Sequence, residues 1–229
     1  MIIKIEDLVK SYKTKYHNTE VFKGINLEIE QGDFVGVIGR SGSGKSTLLN
    51  LLGFLDTPDS GIYTFNGKQV DFRKAQSLNM LRRKNIAFVR QDYALIREYN
   101  IAYNIALPLK YLKKSTDEIN NEVDRVAERL DIKDKLLKFP AQLSGGECQR
   151  VAIARAIITN PLVILADEPT GSLDIENENN VINIFQEINL QGTTIIIATH
   201  NNDIAEKCNT LFLIQQGKIQ KYKKGDDTL

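Results

Sequence analysis

Residues 34–54 read FVGVIGRSGSGKSTLLNLLGF, and this stretch decides how the chain folds. Its apolar start ends in glycine and predicts a buried strand, whereas the apolar spacing in STLLNLLGF predicts a helix. Between the two, Gly39-x-x-x-x-Gly44-Lys45-Ser46 matches the pattern of a phosphate-binding loop. In such a loop backbone N–H groups surround the phosphates, the lysine supplies positive charge, and the serine hydroxyl can bind Mg²⁺. The alternative, a glycine-rich turn with an accidental lysine, leaves the flanking strand and helix unexplained.

Strand and helix patterns alternate along the rest of the chain. The runs LVILA at 162–166 and TTIIIAT at 193–199 predict two more buried strands, and a helical pattern precedes each of them. The glycine and asparagine in GIYTFNGKQV, 61–70, predict an antiparallel hairpin. The sequence therefore predicts an α/β fold with a mostly parallel sheet, a β-rich N-terminal part and a helical insertion at about 92–150.

Composition excludes several classes of protein. The 229 residues are 42% apolar, enough for one globular core or two closely packed lobes. The net charge of +1 does not point to a nucleic-acid partner. Two cysteines in unlike contexts are typical of a reduced, cytosolic protein, and the start MIIKIEDLVKSY is too charged for a signal peptide. No run approaches 18 apolar residues, so we expect any membrane role to depend on a partner.

Polar residues follow both of the later strands, at the sheet edge where α/β proteins bind ligands. Asp167 and Glu168 come directly after LVILA; Asp167 is placed to hold Mg²⁺ through a water, and Glu168 to activate an attacking water. The alternative is an exposed acidic pair that opens a loop. His200 closes TTIIIATH and can contact a γ-phosphate or orient the water, although a purely structural histidine is the other interpretation.

A second glycine-rich stretch, LSGGECQR at 143–150, stands before the helix-like run VAIARAII. Ser144, Gly145 and Gly146 thus suit an anion site at a helix N-terminus. A different anion or a simple helix cap are the alternatives. One chain has no evident use for two phosphate sites so far apart in sequence.

In this order the motifs resemble those of the ATP-binding subunits of ABC transporters, over nearly all of the 229 residues. They are Walker A at 39–47, a Q-loop Gln91, the signature LSGGECQR, Walker B VILADE, a D-loop GSLD at 171–174 and the switch His200. The resemblance implies a P-loop NTPase core of the RecA type, with an N-terminal antiparallel β-subdomain and an inserted helical subdomain. It also implies that 1–229 form a single cassette that hydrolyses ATP with Mg²⁺.

The resemblance accounts for the second phosphate site. In this family two cassettes pair head to tail, and each ATP lies between Walker A of one copy and the signature of the other. Nucleotide contacts are therefore expected from Tyr12, Gly39, Arg40, Ser41, Gly42, Ser43, Gly44, Lys45, Ser46, Thr47, Ser144, Gly145, Gly146 and Asp174. Catalysis is expected from Lys45, Gln91, Glu168 and His200, and metal binding from Ser46, Gln91 and Asp167. Tyr12 matches the aromatic residue that stacks on adenine, the alternative being an ordinary β-edge tyrosine.

Finer similarities concern the membrane partner. The stretches LLGFLDTPDSG, NIALPLKY and PTGSLD resemble lipoprotein-release, macrolide-export and antimicrobial-peptide export cassettes. That subgroup implies a homodimer on the inner face of the cell membrane, bound to integral-membrane permease subunits. INLQGTTIIIATHN also resembles the cell-division cassette FtsE, an ATP-driven regulator that transports nothing. A soluble ABC-type ATPase would need a long coiled-coil insertion or two cassettes, and a GTPase an NKxD motif, none of which occurs.

Three residues depart from the family pattern. Arg90 precedes Gln91 where an apolar residue is commoner, Cys148 replaces a usual glutamine, and Asn201 follows His200 where aspartate is common. None of the three has an assigned chemical role. Arg90 lies where the family's membrane partner docks, so it is expected to alter that contact.

Overall fold

The computed structural model describes residues 1–14 and 17–222, apart from the side chain of Asn18, so the end of the expected cassette at 229 lies outside it. The strands are β1 (Ile3–Lys13), β2 (Asn18–Ile29), β3 (Phe34–Ile38), β4 (Ser60–Phe65), β5 (Lys68–Gln69), β6 (Ile86–Arg90), β7 (Val163–Asp167), β8 (Thr194–Ala198), β9 (Thr210–Gln215) and β10 (Lys218–Tyr222). The helices are α1 (Lys45–Leu52), α2 (Ala75–Asn85), α3 (Ile101–Tyr111), α4 (Thr116–Arg129), α5 (Gly145–Ile157), α6 (Ile175–Leu190) and α7 (Asn202–Lys207).

A parallel sheet forms the centre of the molecule, in the order β10-β9-β3-β8-β7-β6. All neighbouring strands are parallel except β10, which pairs antiparallel with β9 at one edge. The residues of β3 and β8 are all buried, as are all but the last of β7. Such continuous apolar strands are typical of a parallel sheet covered on both faces. The predicted strands and the predicted fold class are confirmed.

The two faces of this sheet support two separate cores. Ile164 and Ala166 of β7 face the core that contains α3, α4, α5 and α6, whereas Leu165 faces the core that contains α1 and the N-terminal sheet. This division follows from the alternation of side chains along a strand. The phosphate loop therefore leaves β3 between two well-packed layers.

The N-terminal sheet is antiparallel, in the order β2-β1-β4-β5. The predicted hairpin joins β4 to β5 through Asn66 and Gly67, whose φ angles of 47° and 71° suit a two-residue turn between antiparallel strands. Tyr63 of β4 is buried, and its hydroxyl donates a 2.9 Å hydrogen bond to the carbonyl oxygen of Leu52. That carbonyl lies at the end of α1, so this bond attaches the N-terminal sheet to the helix that starts in the phosphate loop.

The helices α3, α4 and α5 are inserted between β6 and β7. The last of them extends to Ile157, past the expected boundary at 150, because the run VAIARAII continues the buried face of α5. Ser115 and Glu118 cap the start of α4 reciprocally. The side chain of Asn104 is fully buried in α3, where it bonds the backbone of Ile96 and thereby fixes the loop before the helix. Within the described ranges no helix is long and apolar enough to cross a membrane.

The attachment through Tyr63 can be tested by Tyr63→Phe. We expect this substitution to lower the free energy of unfolding by about 1–2 kcal/mol, because it removes a buried hydrogen bond and leaves the Leu52 carbonyl unpaired. Urea denaturation measures the change, and Tyr111→Phe at a 62% exposed position is the control. Equal stability of the two variants would show that the bond does not contribute.

Candidate active site

The loop between β3 and α1 has the backbone conformation of a phosphate cradle. Gly42 and Gly44 adopt φ angles of 76° and 109°, which favour glycine, and Gly44 forms the N-cap of α1. The buried hydroxyl oxygen of Ser43 has no hydrogen-bond partner among the described residues. An unpaired buried hydroxyl is costly unless a ligand completes it, so the loop fits an incoming phosphate group.

Lys45 folds back over this loop. Its ammonium group donates to the carbonyl oxygen of Gly39 at 2.8 Å and lies 3.4 Å from that of Arg40. Only 8% of the residue is exposed. Two backbone carbonyls neutralise a buried ammonium incompletely, so Lys45 is a ready partner for phosphate oxygens.

Three chemically active side chains meet at the carboxyl edge of the sheet. The carboxylate of Glu168 lies 2.9 Å from Nδ1 of His200 and 3.9 Å from the ammonium of Lys45. Glu168 follows β7, His200 follows β8, and Lys45 follows the loop after β3. The sequence places them far apart, and the parallel sheet brings them together because each follows a strand that ends at this edge.

Backbone strain fixes the direction of Glu168. Its φ angle of 45° lies in the left-handed region, and its N–H donates a 2.9 Å bond to the carbonyl oxygen of Ala198 in β8. Non-glycine residues seldom adopt this region, and such strain persists only where neighbouring bonds impose it. The carboxylate is therefore positioned by the sheet itself.

A cavity of about 520 Å³ adjoins this cluster and contains the expected metal ligands. Ser46, Gln91, Asp167 and Glu168 all line it. Hydroxyl, amide and carboxylate oxygens are the hard donors that Mg²⁺ prefers. The donor set thus fits the metal that the family implies.

The signature residues lie apart from this cluster. Ser144 is the N-cap of α5: its hydroxyl accepts from the Glu147 N–H at 3.3 Å, and its own N–H donates to the Glu147 carboxylate at 2.8 Å. No residue of 143–150 lines the cavities on either side of the phosphate loop, within the part of the chain that the structure describes. In the free chain Ser144 therefore caps its own helix.

Close packing explains why glycines follow Ser144. A Cβ atom on Gly146 would lie 2.3 Å from Oδ1 of Asn177, and one on Gly145 would lie 3.0 Å from the Tyr93 hydroxyl. Asn177 in turn donates to the carboxylate of Asp174, the N-cap of α6. The signature and the D-loop are therefore packed together within one chain.

Tyr93 joins the Q-loop to the D-loop. Its hydroxyl lies 3.0 Å from Oγ of Ser172, and Gln91 packs against Gly171, where a Cβ would meet the Gln91 amide at 2.9 Å. Two residues after Gln91, the Tyr93 side chain thus contacts the segment that leads to Asp174. Gln91 and the D-loop are adjacent in space although about eighty residues separate them.

Tyr12 lies near the end of β1. Its ring is 43% exposed, and its hydroxyl donates a 2.6 Å bond to the carboxylate of Asp56. Burial and the bond to Asp56 raise the pKa of the phenol, which therefore stays protonated at neutral pH. The ring therefore has solvent-exposed surface that a planar ligand could reach.

Comparisons with known proteins agree with this geometry. Residues 22–171 match the ABC transporter family. The chain belongs to that family. It is 42% identical over 200 residues to the lipoprotein-releasing system ATP-binding protein LolD of Aquifex aeolicus, covering 87% of this chain and 89% of LolD. It is 41% identical over 223 residues to the macrolide export ATP-binding/permease protein MacB of Bdellovibrio bacteriovorus, covering 96% of this chain but 33% of MacB.

A solved ABC cassette has the same fold. The dimeric post-hydrolysis structure of the ATP-binding cassette MJ0796, bound to ADP and Pi, matches with a TM-score of 0.89 and 32% identity. The match covers 97% of this chain and 98% of that one. The expected family, fold class and ATPase activity are confirmed by these comparisons.

The three departures from the ABC pattern lie in different surroundings. Arg90 is exposed and pairs with Asp92 at 3.1 Å, and Cys148 is a buried thiol within α5. Asn201 uses both ends of its amide: the oxygen accepts from the N–H of Asp203, and the nitrogen donates to Glu178 at 2.8 Å. An aspartate at 201 would place two carboxylates against each other, so the amide suits this cassette.

Sequence reasoning missed Tyr93, Asn177 and Arg155. Arg155 of α5 donates to the carbonyl oxygens of Tyr93 and Ala94 at 2.7 and 2.6 Å and so holds the Q-loop against the helical insertion. Asn177 and Arg155 lie within helices, where a polar residue in the sequence usually indicates only a solvent-exposed position. Tyr93 carried a weak signal, because an aromatic residue next to a motif in a polar loop often has a specific contact.

We expect Tyr93→Phe to lower kcat for ATP hydrolysis about 2- to 10-fold, because it removes the hydrogen bond that aligns the Q-loop with the D-loop. Ser172→Ala should have the same effect, and the double variant should be no worse than either single one. Phosphate release measures the rates, and Tyr99→Phe in the same loop is the control. Additive losses in the double variant would contradict a shared bond.

Proposed function

We propose that this cassette is the ATP-hydrolysing subunit of a membrane transporter that drives export or extracytoplasmic handling of a peptide, lipoprotein or drug. The observation that carries the proposal is the meeting of Glu168 with His200 and Lys45, at 2.9 and 3.9 Å. The relatives named for lipoprotein release and macrolide export suggest the substrate class. They do not favour the alternative, a regulator that transports nothing.

ATP binding begins with an exchange of partners at Lys45. The ammonium now held by the carbonyls of Gly39 and Arg40 turns to the β- and γ-phosphate oxygens, while the loop N–H groups surround the phosphates. A charge-assisted bond to phosphate is stronger than one to a neutral carbonyl, which drives the exchange.

Hydrolysis requires one group that takes a proton from the attacking water. The water oxygen bonds to the γ-phosphorus, the bond to the ADP oxygen breaks, and the proton passes to the Glu168 carboxylate. His200 contacts that carboxylate in the free chain. When ATP enters, His200 would contact the γ-phosphate instead. ADP and inorganic phosphate are the products.

The cavity beside Glu168 provides the place for the metal ion. Ser46, Gln91 and Asp167 would hold Mg²⁺ there, with waters completing its coordination. The ion would supply positive charge to the phosphates. Gln91 also belongs to the loop that Arg155 ties to the helical insertion, so movement of that insertion displaces a metal ligand.

A second copy of the chain would complete the site. Ser144 to Gly146 lie at the N-terminus of the 13-residue α5, whose dipole favours an anion. Two apolar side chains close in sequence to the signature and to Asp174 are exposed, Leu137 at 83% and Ile175 at 80%. Apolar groups in such positions are typical of protein–protein contacts. Head-to-tail pairing would cover them and place each signature on the partner's γ-phosphate, with Asp174 between the two sites.

The membrane subunit has a candidate docking groove of about 460 Å³ between α2, α3 and α5. Leu107, Pro108 and Tyr111 supply apolar surface, and the guanidinium of Arg83 lies 5.7 Å from the centre of the Tyr111 ring. This combination fits a short helix of a permease subunit that carries an acidic side chain opposite Arg83. Docking there would hold the cassette at the cytoplasmic face of the membrane.

The shared site predicts ATP-dependent dimerisation of Glu168→Gln. This substitution should lower ATP turnover about 100-fold or more, because the glutamine cannot accept the proton, while ATP binding persists. Light scattering should then show a monomer without nucleotide and a dimer with MgATP. ATP turnover at the wild-type rate in this variant would show that Glu168 does not accept the proton from the attacking water.

Ser144→Arg in the Glu168→Gln background is the matched control for that experiment. The arginine side chain should block the partner's phosphate and abolish the dimer without weakening ATP binding to Walker A. A dimer that persists with Ser144→Arg would contradict the role of the signature. A monomer under all conditions would mean that membrane subunits are needed to bring two cassettes together, or that the signature binds no phosphate.

The docking groove can be tested by Arg83→Glu in cells that express the membrane subunits. We expect the membrane-bound fraction of the chain to fall by about tenfold, because the reversed charge would repel an acidic partner residue. The measurement is the ratio of the chain in the membrane pellet to that in the supernatant. Lys84→Glu, a neighbour in α2 that lines a different cavity, is the control. Equal membrane binding of wild type and Arg83→Glu would refute the groove.

A further inference from the structure

Lys10 is a buried lysine, and its ammonium group is compensated by close partners. Only 7% of this β1 residue is exposed, and its ammonium donates to the Asp56 carboxylate at 2.6 Å and to the Thr57 carbonyl at 2.8 Å. Burying an ammonium costs free energy unless partners of this kind compensate it. The phosphate loop and the acidic pair do not use Lys10.

Asp56 connects Lys10 to the ring of Tyr12. One carboxylate oxygen accepts from Lys10, and the other accepts from the Tyr12 hydroxyl at 2.6 Å. Burial opposes ionisation of Asp56, but the hydrogen bonds from Lys10 and Tyr12 outweigh it and lower the pKa of the carboxyl. The Asp56 N–H bonds to the carbonyl of Asn50 in α1, so the cluster is attached to the phosphate-loop helix.

The ammonium of Lys10 also covers one face of the Tyr12 ring. It lies 4.8 Å from the ring centre, within the range of a cation–π contact. The ring nevertheless remains 43% exposed. One face is therefore closed by a cation, and a planar ligand can reach only the other.

We propose that Lys10 and Asp56 are positioning residues for the nucleotide base: together they fix the Tyr12 ring, and Lys10 reserves its opposite face for stacking. This inference rests on the proposed function, in which Tyr12 carries the base. A ring held at its hydroxyl and at one face loses little conformational freedom when the base arrives, and such preorganisation raises affinity. Withdrawal of ring electrons by the cation should also strengthen stacking with an electron-rich purine.

The test compares two ligands that share phosphates and differ in the base. We expect ADP and inorganic pyrophosphate both to occupy the phosphate loop, and only ADP to reach Tyr12. We expect Lys10→Met to weaken ADP binding about 3- to 30-fold and to leave pyrophosphate binding unchanged, measured by titration calorimetry with Mg²⁺. Lys10→Arg should restore ADP affinity because it keeps the cation, and Tyr12→Phe should give an intermediate loss.

Lys4→Met is the matched control, since Lys4 lies on the same strand and pairs with Glu6 at 2.9 Å. Asp56→Asn is a second variant, for the case in which the melting temperature shows that Lys10→Met does not fold. It weakens the link between Lys10 and Tyr12, so it should also weaken ADP binding and leave pyrophosphate binding unchanged. Equal weakening of ADP and pyrophosphate would overturn the proposal, because it would show an effect through the phosphate loop. Unchanged ADP affinity in folded Lys10→Met would overturn it as well.

Tyr12→Ala separates this inference from the function on which it rests. If Tyr12→Ala leaves ADP affinity unchanged, the base does not stack on Tyr12 and the assignment of that residue fails. If Tyr12→Ala weakens ADP binding while Lys10→Met and Asp56→Asn do not, Tyr12 still stacks on the base. The positioning role of Lys10 and Asp56 is then refuted.

Discussion

The register of the parallel sheet is the constraint on which the active site depends. Ala198 of β8 pairs with Val37 of β3 on one side and with Asp167 of β7 on the other, and its carbonyl accepts from Glu168. A slip of one residue in a strand buried on both faces would exchange its two core faces, so the register is firmly specified. The phosphate loop, the acidic pair and His200 consequently leave the same edge at the same height.

Backbone strain occurs where the catalytic motifs meet the helical insertion. Glu168, Tyr93 and Ala94 all have φ angles between 45° and 58°, a region that side chains usually avoid. Each is held by a specific bond: Glu168 by β8, and the carbonyls of Tyr93 and Ala94 by Arg155. Strain of this kind persists only when surrounding contacts compensate for it. The bonds from Arg155 also hold the Q-loop against the helical insertion.

Two buried lysines illustrate opposite uses of a desolvated charge. Lys10 has a carboxylate partner at 2.6 Å and belongs to a completed cluster, whereas the closest carboxylate oxygen to Lys45 is 3.9 Å away. The first arrangement fixes neighbouring groups, because separating a close buried pair is costly. The second leaves an ammonium with weak partners that phosphate can replace. A buried lysine can thus either stabilise neighbouring groups or remain available for a ligand, depending on its partners.

The sequence by itself determined the central strands, the phosphate loop, the acidic pair and the family. These features are local: apolar runs of five residues specify buried strands, and fixed spacing places Lys45 and Ser46 after the glycines. The contacts of Tyr93, Asn177, Arg155 and Lys10 escaped prediction, because each depends on which distant segments pack together. Only the tertiary structure decided that Glu168 meets His200, that the free Ser144 caps its own helix, and that a buried cation closes one face of Tyr12. Hydrogen bonds and cation–π contacts act over a few ångströms, and sequence spacing does not specify those distances until the sheet has fixed its register.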